Sequence, residues 1–245
     1  MSGIALVTGG GSGIGKACAI RLAEAGYDVT VTGRRLEALE STVEAMGSGQ
    51  AIACDVTDTA QVDALFEKMV QDKGRIDVVF NNAGNNVPAA PIGDVPPEDF
   101  RKVMDVNLFG AFLIARGAFN VMRAQDPQGG RIINNGSISS TMPRPGSAPY
   151  TSTKHAITGL TRTTSLDGRP FNIACGQIDI GNTASDMTSA MQSGVPQADG
   201  SIKPEPVMSV DNVAETVKLM ADLPLDANIQ FVTVMATNMP FVGRG

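Results

Sequence analysis

Tryptophan is absent from this 245-residue chain, and aromatic residues make up only 4% of it. The core must therefore be aliphatic. The 42% of residues that are hydrophobic suffice for a chain of this length to bury a substantial interior. There is one histidine, His155, so a metal centre or hydrolase built on several histidines is excluded and no metal site is expected. The three cysteines, Cys18, Cys54 and Cys175, are odd in number and far apart. They fit buried free thiols in a reducing compartment better than a disulfide framework. No apolar run approaches the roughly 20 residues that span a bilayer. The first residues carry neither a basic leader nor a long apolar stretch. No membrane anchor or signal peptide is expected, and the cytoplasm is the expected compartment. The formal net charge of −6 speaks against nucleic acid or an anionic membrane as partner, since both favour a basic face.

What is present is a rhythm. Ile4–Thr8 is a short apolar run, followed by a glycine turn and a helical pattern over Ile14–Ala25 that Gly26 stops. Strand patterns follow at Asp28–Thr32, Ala51–Cys54 and Ile76–Phe80, and helical spacing at Leu36–Met46 and Ala60–Val70. The second half continues with helical Phe100–Ala124, strand Arg131–Asn134, helical Tyr150–Leu166, strand Phe171–Ala174, helical Val210–Ala221 and strand Ile229–Val234. Strands that alternate with helices predict an α/β fold, a parallel sheet covered on both faces. Nothing in this run resembles a linker, so one domain over 1–245 is expected. One segment breaks the rhythm: Ile180–Pro206 is rich in Gly, Ser, Thr, Pro and Met. Its length suits a lid over a substrate, with Met187 and Met191 four residues apart as an adaptable apolar face.

The first turn reads Thr8-Gly9-Gly10-Gly11-Ser12-Gly13-Ile14-Gly15. Between a strand and a helix, such a turn lets backbone approach a pyrophosphate, which the helix N-terminus attracts. Gly9, Gly11, Ser12, Gly13, Ile14 and Gly15 are therefore expected to bind a dinucleotide. A carboxylate at the end of the second strand would hold the ribose 2′-hydroxyl of NAD; the sequence has Gly33-Arg34-Arg35 instead. Two cations at a helix start are misplaced unless an anion compensates, and a guanidinium fork suits a 2′-phosphate. NADP(H) is the expected cofactor, held by Arg34 and Arg35, with NAD(H) as the alternative.

The glycine turn, Asn81-Asn82-Ala83-Gly84 and Tyr150-x-x-x-Lys154 occur in that order on one chain. Together they resemble the single-domain branch of the short-chain dehydrogenase/reductase family, over at least Ile4 to Gly176. The resemblance implies a Rossmann-type, doubly wound parallel sheet of about seven strands. It implies an oxidoreductase that moves a hydride between nicotinamide and a carbonyl or alcohol carbon of a small molecule. A free phenol holds its proton to about pH 10. Lys154, one helical turn after Tyr150, places an ammonium that favours the phenolate. The resemblance makes Tyr150 the general acid/base and gives Lys154 the nicotinamide ribose as well. Ser137, thirteen residues before the tyrosine, is expected to polarise the substrate oxygen, with Ser139 as runner-up. Asn107 matches the family's relay asparagine. Asp55, beside Val56, matches the residue that holds the adenine, and Asn81, Ala83 and Gly84 are expected along the nucleotide. Gly176 and Ile178 are expected against the cofactor. His155 points about 100° from Lys154 on a helix and is read as structural.

The chain departs from the family after the sixth strand. Cys175 replaces a proline, and Ile180 stands where a threonine often touches the carboxamide, leaving Asn182 and Thr183 as candidates for that contact. Two other readings are weighed. A redox-sensing binding protein would be expected to lose Tyr150 or Lys154, and both remain. A sugar-nucleotide enzyme of the extended branch needs a glycine where Ser12 stands. The two long helices carry Leu108, Phe112, Ala115, Phe119, Ile157 and Leu160, a set wider than one buried stripe. In the family these helices pair across a two-fold axis, so a homodimer or homotetramer is expected.

Overall fold

The computed structural model describes residues 3–184 and 194–241. Strands β1 (Ile4–Thr8), β2 (Asp28–Gly33), β3 (Gln50–Ala53) and β4 (Val78–Asn81) alternate with helices α1 (Gly13–Glu24), α2 (Leu36–Met46) and α3 (Thr59–Lys73). Helix α4 (Pro97–Met104) then runs through a π-helical turn, Asp105–Gly110, into α5 (Ala111–Ala124). Strand β5 (Gly130–Asn135), helix α6 (Ala148–Gly168) and strand β6 (Ile173–Ile180) follow. A two-residue hairpin, β7 (Val195–Pro196) and β8 (Ile202–Lys203), precedes α7 (Val210–Asp222) and β9 (Phe231–Val234). Seven strands form one sheet in the order β3-β2-β1-β4-β5-β6-β9, and every neighbouring pair is parallel.

The central strands lack an apolar/polar alternation because both of their faces are covered. In β1, Ala5 and Val7 join Cys18, Leu22, Val213 and Val217 of α1 and α7 on one face. Leu6, between them, joins Leu65, Phe66, Ile114 and Met122 of α3 and α5 on the other. Within the seven-stranded sheet, only the outer strands β3 and β9 are part-exposed along their length. Local chemistry sets the helix ends. Asp58 caps α3 by accepting from the amides of Ala60 and Gln61, and Gly74 closes it at φ +78°. Arg131 is almost fully buried at the start of β5. Its guanidinium donates to the carbonyls of Leu223, Pro224 and Ala227 and to Asn228 Oδ1. It thereby satisfies carbonyls just beyond the C-terminus of α7, which has no basic residue in its own last turn.

One expectation needs correction. Strand β6 is not confined to Phe171–Ala174: it starts at Ile173 and continues to Ile180, buried throughout. Gly176, Gln177 and Asp179 interrupt the apolar run, but both polar side chains find hydrogen bonds inside the fold. The expected lid over 180–206 divides. Ile180 ends β6, and Asn182 and Thr183 are buried. Residues 194–206 hold the hairpin, while Met187 and Met191 lie outside the described residues. No described helix is long and apolar enough to cross a membrane.

Candidate active site

Strand order reverses between β1 and β4, and a parallel sheet binds ligands in the crevice beyond the carboxyl ends of its strands at such a point. Two adjoining cavities, about 170 and 240 Å³, open there. They share Gly9, Ser12, Ala83, Gly84 and Asn85 as a common wall.

The glycine turn is built for close approach. Gly9 has φ +65°, and a Cβ on Gly15 would sit 2.2 Å from the Gly9 carbonyl oxygen. Helix α1 can therefore press its first turn against the loop only with glycine there. Thr8, fully buried behind the turn, accepts from the amides of Asn82 and Ala83 and so ties β1 to β4. The side chain of Ser12 makes no capping bond and the first turn of α1 holds no acid. That N-terminus has neither the side-chain cap of α3 nor an anion of its own.

The first cavity is lined by Gly11, Arg34, Arg35, Asp55 and Val56 beside the shared wall. Arg34 and Arg35 are exposed, and neither has an ion pair or side-chain hydrogen bond among the described residues. Asp55 turns its carboxylate to Thr57, accepting from its amide and hydroxyl. The second cavity adds Gly13, Ile14, Gly15, Asn82, Tyr150, Lys154, Ile180 and Thr183. The Nζ of Lys154 donates to the Asn135 carbonyl at 2.7 Å and lies 5.4 Å from the centre of the Tyr150 ring. Lys154 is buried and has no carboxylate partner among the described residues. His155 is exposed and its ring reaches only the Thr151 carbonyl, as expected of a structural residue.

Ser137 and Asn107 do not themselves line the two cavities, but Ser137 directly follows Gly136, which lines the second. Ser137 is buried; its Oγ accepts from the Ser139 amide at 3.1 Å, which leaves the hydroxyl proton free to be donated elsewhere. Asn107, in the π-helical turn, accepts from the Asn85 amide and donates to the Asn85 carbonyl, at 2.7 and 2.9 Å. A π-helical turn often marks a functional position, and here it presents a side chain that clasps the loop after β4. The Oδ1 of Asn85 itself is buried with no partner among the described residues.

Three expected cofactor contacts are placed otherwise. Asn81 is buried and donates to Ala111 O and Asn134 Oδ1; its successor Asn82 reaches the cavity. Gly176 and Ile178 are sealed within β6, Ile178 in the core below α1 and α7. The longer strand carries the chain past them, so that Ile180, Gly181 and Thr183 meet the cavity. Asn182, between them, turns away and donates to Glu205. Residue types alone did not single out Asn82, Asn85, Gln177, Asp179, Arg144 or Glu205. The polar pair Gln177 and Asp179 in an otherwise apolar run was the one available signal.

The family model described as short chain dehydrogenase matches residues 3–195. A 3beta-hydroxysteroid dehydrogenase of Mediterraneibacter gnavus is 34% identical over 196 residues, 78% of this chain and 70% of that one. An uncharacterized oxidoreductase of Escherichia coli, YohF, is 36% identical over 208 residues, 82% of this chain and 81% of the other. Among solved structures, acetoin dehydrogenase YohF from Salmonella typhimurium superposes with a TM-score of 0.81 at 30% identity, covering 96% of this chain and 94% of that one.

Proposed function

The chain belongs to the short-chain dehydrogenase family, and from that premise we propose that it is an NADP(H)-dependent oxidoreductase acting on a carbonyl or secondary alcohol, with Tyr150 as general acid/base. One observation carries this reading: Tyr150 and Lys154 share a cavity with the glycine turn, and among the described residues the lysine has no carboxylate partner. A cofactor fits the residues present. The uncapped N-terminus of α1 would take the pyrophosphate, Arg34 and Arg35 the 2′-phosphate, and the buried Asn85 Oδ1 offers an unused acceptor on the wall between. Nicotinamide, when bound, supplies or accepts the hydride.

The rest is proton management by the chain. In the reducing direction Tyr150 delivers its proton to the oxygen that becomes the alcohol. The hydroxyl of Ser137, its lone pair taken by the Ser139 amide, donates to the same oxygen and polarises it. Lys154 keeps its ammonium beside the phenol, with donors to spare for ribose hydroxyls beyond the one given to Asn135. Asn107 holds Asn85 in place along the relay side. Relatives named for a hydroxysteroid and for acetoin support an alcohol or ketone as substrate. Three buried free thiols suit a reducing compartment, and the enzyme is assigned to the cytoplasm as a homodimer or homotetramer.

A panel of ketones, aldehydes and secondary alcohols assayed with NADPH, NADP, NADH and NAD tests the activity. Tyr150→Phe tests the chemistry: turnover should fall by at least about 10²-fold, as general acid–base loss does, while NADPH still binds by fluorescence. Near-normal turnover in that variant would overturn the assignment.

A further inference from the structure

Beneath the serine loop lies a carboxylate to which the reaction as described gives no role. Asp179, on β6, is buried and faces no lysine, arginine or histidine in an ion pair among the described residues. Three donors converge on one of its two oxygens, Oδ1: the amide of Ser137 at 3.0 Å, the hydroxyl of Ser140 at 3.2 Å and Gln177 Nε2 at 2.7 Å. The loop is shaped to admit it. A Cβ on Gly136 would come within 2.1 Å of that oxygen, so a larger residue there would displace the Asp179 carboxylate from its place against the loop.

Asp179 is itself held. Gln177 also donates to Thr158 Oγ1 and accepts from Thr161 Oγ1, which in turn accepts from Asn134 Nδ2. Asn134 Oδ1 accepts from Asn81, whose amide also donates to the Ala111 carbonyl at the start of α5. One buried chain of hydrogen bonds thus runs from the end of the π-helical turn, across β4, β5 and β6, to the backbone of Ser137. Burying such a chain is costly unless every member is satisfied, and a less polar core would serve packing alone at least as well. Its terminus on the serine amide gives it a use.

We propose that Asp179 is a positioning residue: its carboxylate, braced by Gln177, fixes the backbone of Ser137 so that the serine hydroxyl is aimed at the substrate oxygen. This rests on the reading of Ser137 given above. The amide is held by Asp179 while the Oγ is held by the Ser139 amide, so two contacts fix the direction of the one free proton. A reacting group displaced by about 1 Å can lose up to 10²-fold in rate.

The test is a double-mutant cycle on the full-length protein with NADPH and the best ketone from the panel. Asp179→Ala should lower kcat roughly tenfold or more, with the NADPH Kd within about twofold of wild type, as a displaced serine requires. Asp179→Asn, which keeps an acceptor oxygen in place, should recover most of the loss. In a Ser137→Ala background, Asp179→Ala should cost nothing further, because the group it acts through is gone. Where Asp179→Ala does not fold, Asp179→Ser, polar but too short to reach the amide, takes its place in the cycle. Losses that multiply in the double variant would overturn the proposal while leaving the serine's role intact. A Ser137→Ala variant of near-normal turnover would instead overturn the serine assignment, and the premise of this proposal with it.

Discussion

Arg34 and Arg35 stand where a ribose-binding carboxylate would have to be, and both are exposed to the first cavity. Arg35 is the N-cap of α2 and makes no capping bond. A cation there opposes the helix dipole; the first turn carries one acid, Glu37, and a bound phosphate would add an anion that the guanidinium fork suits. One charge-assisted hydrogen bond contributes about 1.5–3 kcal/mol. Arg34→Ala should therefore reduce the preference for NADPH over NADH by roughly ten- to a hundred-fold, read from the two kcat/KM values. A wild-type protein that prefers NADH would overturn this. The cysteines make the opposite kind of prediction, one of silence. Burial pushes the Cys54 thiol up to about 11, with Asp55 and Asp58 adding to the shift, and pushes Cys175 up to about 12; Cys18 moves the same way for the same reason. Thiolate is the reactive form, and a raised value means it is scarce until the pH approaches 11. A disulfide reagent should find almost no reactive thiol on the native protein at pH 7 to 9, and three per chain in denaturant. A rapid equivalent on the native protein at pH 8 would contradict it.

At the level of elements, the sequence was most legible where one principle acted alone. Strands β1 and β4 follow from short apolar runs, β2 from its alternation and α3 from its helical spacing, whereas the cap Asp58 and the closing Gly74 emerge only in the structure. The glycine turn could be singled out because a phosphate demands close backbone approach between a strand and a helix, and the Tyr150–Lys154 pair only through the resemblance carried by the motifs together. Reading failed where tertiary hydrogen bonds overrode composition. Gln177 and Asp179 look like loop residues until Thr161, Ser137 and Ser140 are brought beside them from other elements. Arg144, in the loop between β5 and α6, meets Glu205 and Asn182 from the segment beyond β6, and Glu205 also accepts from Gln197 in the hairpin. Glu205 is buried. Two backbone bonds tie Met208 to Asn182 and Ala184. The legs of the segment are therefore clamped to the loop between Ser137 and Tyr150. Breaking a buried ion pair from one side costs about 3 kcal/mol or more, which at this length lowers Tm by roughly 6–12 °C. Glu205→Ala should lower Tm in that range and speed hydrogen exchange at Ala184 and Met208, leaving β1 and β4 protected. Unchanged exchange at those two amides would show that the clamp does not hold the legs.

Two groups of exposed apolar side chains among the described residues bear on assembly. Of the six residues that made the long helices look too apolar, Ala115 and Ile157 are buried against the fold and Phe112 is exposed. Leu108, Phe119 and Leu160 fall between. Phe112 stacks on Phe109 of the π-helical turn, ring centres 6.4 Å apart, and both are more than 40% exposed. Arg116, the next residue along that face, is paired with Asp63. The second patch lies at the sheet edge. Leu166 of α6 is 58% exposed, and Phe231 of the outer strand β9 is 38% exposed beneath the Arg162 guanidinium. Paired large apolar side chains on a surface mark contact sites. An isologous contact uses one patch on both copies, and two separate patches allow two such contacts, the arrangement of a dihedral tetramer. Light scattering at micromolar concentration should therefore give a homotetramer. Phe112→Asp, which places like charges opposite each other across the first contact, should halve the mass without abolishing NADPH binding. Leu166→Asp should do the same through the second. A wild-type protein that is monomeric at that concentration would contradict the reading of both patches, and an unchanged mass in either variant would remove that patch from the assembly.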